Sequence, residues 1–120
     1  MGGAPTVSAV YPVFEDARGR LVPVEFADVP FEPRRAFVVV APDGGATRGD
    51  HVSTCTELLV LVAGEARIRL GPGADDGTRP TTRRMRSGGQ SCVVERGQHV
   101  VYDLGEGAVL LVLADREYEP

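Results

Sequence analysis

The chain has 120 residues, a formal charge of -4 and charged residues at 25%. Such a length predicts one domain, since either half would be too small to bury a core. The acidic balance disfavours nucleic-acid binding through a general positive field, no apolar run nears the roughly 18 residues of a membrane span, and Met1 to Val10 lacks the basic start and apolar stretch of a signal peptide.

The strand candidates follow one another at short, regular spacing. Arg20 to Phe26 comes first and Arg35 to Ala41 second, with the turn cluster Pro42 to Gly45 after it. Glu57 to Ala63 is a continuous apolar run that periodicity alone would allow as a buried helix. Its neighbours decide for strand: Gly64 follows, and Ala66 to Leu70 alternates with period two, so the pair reads as a hairpin. The stretch Gly71 to Pro80 reads as a mobile loop. Thr82 to Arg86, Ser91 to Glu95, Gln98 to Leu104 and Ala108 to Ala114 complete the series, separated by glycine-rich turns. Many short strands with such turns predict an all-β sandwich or barrel.

Phe37 to Val40, Leu58 to Val62 and Val109 to Leu113 are apolar on both faces. One face can fill an interior. The other needs a cover, a second sheet or another subunit, and this predicts a homodimer.

All 13 basic residues are arginine, which rules out a lysine Schiff base and leaves the guanidinium as the only charged clamp for an anion. Cys55 and Cys92 make no disulfide framework, and free thiols point to a cytoplasmic protein. Both read as packing residues. Arg83 to Arg86 reads as a solvated strand face.

The two histidines, His51 and His99, stand in informative surroundings. Gly45, five residues, His51, Val52, Ser53, three residues, Glu57, six residues and Gly64 resemble the first cupin motif, with Ser53 in place of its second histidine. Glu95, Gly97 and His99 resemble the second motif, with Glu95 in its proline slot and the glycine-to-histidine spacing one residue short. Residues two apart on a strand share a face. His51 and Ser53 are thus expected to point together into a barrel mouth, with Glu57 reaching the same interior and His99 entering from an opposing strand. Arg67 and Arg69 share one strand face, and Asp103 has the spacing to orient a ring nitrogen of His99.

A closer resemblance covers roughly residues 16 to 118. Asp16-Ala17-Arg18-Gly19-Arg20-Leu21, Val29-Pro30-Phe31 with Arg34-Arg35, Arg48-Gly49-Asp50-His51, and Ala108 to Asp115 with Tyr118 resemble, in order, segments of the dTDP-sugar 3,4-ketoisomerases, small cupins of the WxcM-like C-terminal type. The resemblance implies a double-stranded β-helix (the cupin jelly roll) and dimers that exchange N-terminal strands. It also implies proton transfer between C3 and C4 of a dTDP-4-keto-6-deoxyhexose, with no metal or organic cofactor. His51 would carry the proton, since an imidazole titrates near working pH, and His99 would assist. Arg48 would hold the pyrophosphate through its forked guanidinium. Ser53, Glu57 and Arg67 would line the substrate site. The stretch from Arg35 to Val38 lacks the tyrosine the family carries there, and Tyr102 is the candidate phenol. Two other readings stand beside this one. The first is a cupin of the same family acting on or binding another small biosynthetic intermediate. The second is a metal cupin using His51, Glu57 and His99, a set similar to a facial triad.

Overall fold

A computed structural model describes residues 9–73 and 80–117. The strands are β1 (Phe14–Asp16), β2 (Gly19–Leu21), β3 (Arg35–Val40), β4 (Ala46–Val52), β5 (Glu57–Ala63), β6 (Ala66–Gly73), β7 (Thr81–Met85), β8 (Ser91–Val94), β9 (Gln98–Leu104) and β10 (Val109–Ala114), with a 3-10 turn at Phe26–Asp28. They form a small β1-β2 ribbon and two four-stranded antiparallel sheets ordered β3-β10-β5-β8 and β4-β9-β6-β7. The fold is all-β, as the spacing of the turns predicts, and the two facing sheets make the jelly roll that the family resemblance implies.

The strand Glu57 to Ala63 is present as read, and so is its hairpin with β6. Gly64 turns the chain between them at φ +73, where an added Cβ would come within 2.6 Å of the Ala108 backbone. The first predicted strand is shorter than expected. It ends at Leu21, because Pro23 cannot donate to a ladder, and the chain then runs irregularly to the 3-10 turn. β1 and β4 were not legible as strands from alternation. Most of their residues are exposed, so neither carries an apolar stripe. Of the expected mobile loop, residues 71–73 belong to β6, while 74–79 lie outside the described residues.

The inner core lies between the two large sheets. Leu59 and Leu61 of β5, Ile68 of β6, Met85 of β7, Val94 of β8, Val100 of β9 and Leu110 and Val112 of β10 are all fully buried there. Because side chains alternate along a strand, Leu58 and Val60 of β5 and Leu113 of β10 face the opposite way. Tyr11 and Val29 from the N-terminal segment cover them, with Val22, Val24 and Phe31 packed alongside. Tyr11 fixes this cover by donating its hydroxyl to the Asp28 carbonyl at 2.9 Å. The second apolar face is thus covered in part by the chain's own N-terminal segment, not solely by another sheet or subunit. The cover stops short of β3, whose Val38 and Val40 stay 58% and 64% exposed.

Candidate functional site

The site is built around an irregularity in β4. Its register with β9 runs Arg48 opposite Tyr102 and Gly49 opposite Val101, then His51 opposite Val100 and Val52 opposite His99. Asp50 is the extra residue of a β-bulge. It holds φ 61, and no other non-glycine among the described residues has a positive φ. That conformation costs an L-residue about 1–2 kcal/mol, less for the Asx side chains. The bulge resets the alternation, so that His51 shares a face with the buried core residue Val100 while Val52 and His99 share the outer one.

His51 then borders a cavity of ≈ 630 Å³ at the end of the jelly roll where several turns gather. Arg35 enters from the start of β3, Ser53 and Cys55 from the β4–β5 turn, Glu57 from the start of β5, Arg96 from the β8–β9 turn, and Arg116 from the segment after β10. Ser53 is buried, and its hydroxyl donates to the Cys55 carbonyl at 2.6 Å, an arrangement that closes the turn. Arg116 braces the same turn through the Thr54 carbonyl at 3.3 Å, and the Arg35 guanidinium lies 4.7 Å over the Phe37 ring.

Glu57 is the buried acid of the site, 8% exposed. Its Oε1 accepts the Tyr102 hydroxyl at 3.2 Å, and its Oε2 lies 3.8 Å from the Cys55 thiol. Burial pushes its carboxyl above the usual range, against the pull of the Tyr102 hydrogen bond and of the nearby His51 and Arg35. The same burial, with Glu57 beside it, raises the Tyr102 phenol further, so Tyr102 acts as a donor and not as a phenolate. The Cys55 thiol is pushed up by burial and then by Glu57, and burial takes Cys92 up to about 11. Neither has the lowered pKa of a reactive thiol, in keeping with packing roles.

A pH dependence of stability follows. The unfolded chain ionises Glu57 near the ordinary glutamate value of 4.5, while the folded chain keeps the proton to higher pH. Between those two points the folded state binds more protons, so this group's contribution is full below the unfolded value and is lost as pH rises through the folded one. Glu57→Gln is expected to flatten that fall. Urea midpoints measured across about pH 4 to 7 should show the variant gaining on wild type as pH rises; parallel curves would contradict the assignment.

The structure brings His51, Ser53 and Glu57 to one cavity. Tyr102 adjoins it through Glu57 without lining it. Three other candidates stand elsewhere. Arg48, opposite Tyr102 in register, is exposed and is not part of the cavity wall. Arg67 lies on the outer face of β6, where its Nε donates to Asp103 at 3.0 Å; the inward residues of that strand are Ala66 and Ile68. His99 also faces outward, with Nε2 2.9 Å from Asp50 Oδ1, because the inward residues of β9 are Val100, Tyr102 and Leu104. Asp103 does not orient His99. It is taken by Arg69, Arg67 and Thr47, which hold its carboxyl down at about 2.

The metal alternative loses its ligand set with His99. Among the described residues no group of three or more His, Cys, Asp or Glu side chains is placed to hold a metal ion. Arginines 35, 96 and 116 were not singled out from the sequence as site residues. The absence of lysine pointed to arginine as the anion clamp, but nothing local marked which of 13 would converge.

No curated protein matches the chain. Solved structures do. A histidine-to-asparagine mutant of the 3,4-ketoisomerase QdtA from Thermoanaerobacterium thermosaccharolyticum, in complex with TDP-4-keto-6-deoxyglucose, is 25% identical over 95% of this chain and 82% of its own, at a TM-score of 0.75. The TDP-quinovose 3,4-ketoisomerase WlaRB from Campylobacter jejuni matches in fold at 24% identity over 94% of this chain and 86% of its own, with a TM-score of 0.75. ChmJ, a 3'-monoepimerase from Streptomyces bikiniensis in complex with dTDP-quinovose, shares the fold at 19% identity over 94% of this chain and 65% of its own, with a TM-score of 0.74. Residues 7–120 match the family described as FdtA: WxcM-like, C-terminal, and the chain belongs to that family.

Proposed function

We propose that this protein is a sugar-nucleotide isomerase acting on a dTDP-4-keto-6-deoxyhexose. The carrying observation is an imidazole, His51, on the wall of a cavity that is also lined by Arg35, Arg96 and Arg116. Isomerisation needs both. His51 takes the proton from C3, and the electron pair moves to give a C3–C4 enediolate whose charge rests on the former C4 carbonyl oxygen. An adjacent guanidinium offsets that charge in a site partly screened from water. The C3 hydroxyl proton passes to the C4 oxygen, C3 becomes the carbonyl carbon, and the imidazolium returns a proton to C4. The remaining guanidiniums suit the diphosphate, in the place first given to Arg48.

Incubation with TDP-4-keto-6-deoxyglucose in D2O tests the reading, with NMR following the 3-keto product and any deuterium at C3 or C4. Product or exchange is expected. A protein whose melting temperature rises with TDP but which yields neither binds the nucleotide without isomerising the sugar. Ser53 favours loss of that chemistry, since its hydroxyl is committed to the Cys55 carbonyl and does not titrate near neutrality. Absence of a TDP shift would remove the dTDP-sugar and leave the second reading, a cupin acting on or binding another small biosynthetic intermediate.

The reading includes a homodimer that exchanges N-terminal strands, in the cytoplasm. Phe14, Leu21, Phe26, Val38 and Val40, all more than half exposed, support it as an apolar surface beside the edge strand β3. Light scattering at micromolar concentration should give a dimer mass for wild type and a monomer for Val38→Asp; a monomeric wild type would refute it.

A further inference from the structure

We infer that His99 is a positioning residue that aims His51 into the cavity through the bulge at Asp50. This rests on the isomerase reading for its catalytic meaning, though not for its geometry. Four observations converge. Asp50 holds a left-handed backbone, φ 61, immediately before His51. The register is offset there, and without the extra residue His51 would fall on the outer face, since a one-residue slip exchanges the faces of a strand. The Asp50 side chain is held by His99 Nε2 at 2.9 Å, from the neighbouring strand β9. On the far side of β9, Gly71 of β6 leaves room for the histidine: an added Cβ would stand 3.0 Å from the His99 Cβ.

The two imidazoles thus occupy opposite faces of one sheet, and the outer one acts on the inner one through the backbone. His99 fastens the Asp50 carboxylate, the carboxylate keeps the bulge in its unfavourable conformation, and the bulge sets the direction of His51. Glycine at position 50 would adopt that φ without strain. The fastening then becomes superfluous, which separates this role from a general contribution to packing.

The experiment uses the untagged protein, whose two histidines make the spectrum simple. In any His99 variant the one remaining imidazole Cε1–Hε1 resonance belongs to His51. With His99→Ala, that resonance is expected to leave its wild-type position. His99→Gln, whose amide can still donate to Asp50, should restore it. In the Asp50→Gly background, adding His99→Ala should move the resonance little, a coupling read from the double-mutant cycle. Where turnover is measurable, kcat for His99→Ala should fall on the order of 10- to 100-fold, as for a displaced catalytic group, with KM little changed.

A His51 resonance unmoved by His99→Ala would overturn the inference. So would an equal displacement in the wild-type and Asp50→Gly backgrounds. Should His99→Ala fail to fold, His99→Gln and the Asp50→Gly/His99→Ala pair still decide. A wild type without ketoisomerase activity would defeat the proposed reaction and leave the resonance result standing.

Discussion

Replacing His51 with alanine is expected to slow isomerisation by roughly 10²- to 10⁴-fold, the usual contribution of a positioned acid–base group. The loss should fall on kcat, since the imidazole acts on a proton at carbon and makes little of the ground-state binding; TDP affinity should stay within about threefold. Glu57 cannot substitute, because its carboxyl is buried and already engaged by Tyr102 and Cys55. Ser53 cannot either, having no proton equilibrium near neutrality. Rates with TDP-4-keto-6-deoxyglucose, beside a calorimetric titration with TDP, separate the two effects. A variant that turns over as fast as wild type would remove His51 from the chemistry. One that loses TDP binding in the same proportion would make it a binding residue.

Leu61→Ala is expected to lower unfolding free energy by about 2–5 kcal/mol, the range for truncating a fully buried leucine. Leu61 is 0% exposed and stands on β5 opposite Leu110 of β10, in the core between the sheets. The cavity left there cannot easily collapse, because its walls are hydrogen-bonded strands on both sides. Against a typical total of about 5–15 kcal/mol the loss is large, and the site would loosen with it, since Glu57 heads the same strand. Urea unfolding followed by circular dichroism measures it; a change under about 0.5 kcal/mol, the usual size for a surface position, would show that this core is not packed as described.

The apolar strands were legible because their pattern is local. Leu58 to Val62 and Val109 to Leu113 declare themselves as fully buried strands wherever they end up, and Gly64 between two such runs declares a hairpin. β4 was legible only through the spacing of Gly45, His51, Glu57 and Gly64, because a mostly exposed strand leaves no apolar stripe to read. That spacing placed His51, Ser53 and Glu57 at one site, and the cavity holds all three.

His99 differs from expectation for another reason. It sits one residue away from the inward Val100, and Glu95 to Gln98 carry no alternation to show which of two adjacent residues faces in. The outward direction of Arg67 does follow from local pattern, because Ala66 and Ile68 on either side of it face the core. Arg35, Arg96 and Arg116 lie far apart in the chain, and no interval between them announces that they meet.

By itself, then, the order of residues determined the jelly roll, its apolar layers and the family, since turn chemistry, alternation and motif spacing are properties of neighbours along the chain. Tertiary structure alone decided which imidazole reaches the cavity and which guanidiniums surround it. The direction of a strand side chain depends on register, one bulged residue at Asp50 reverses it, and register is settled only when the strand pairs with its partner.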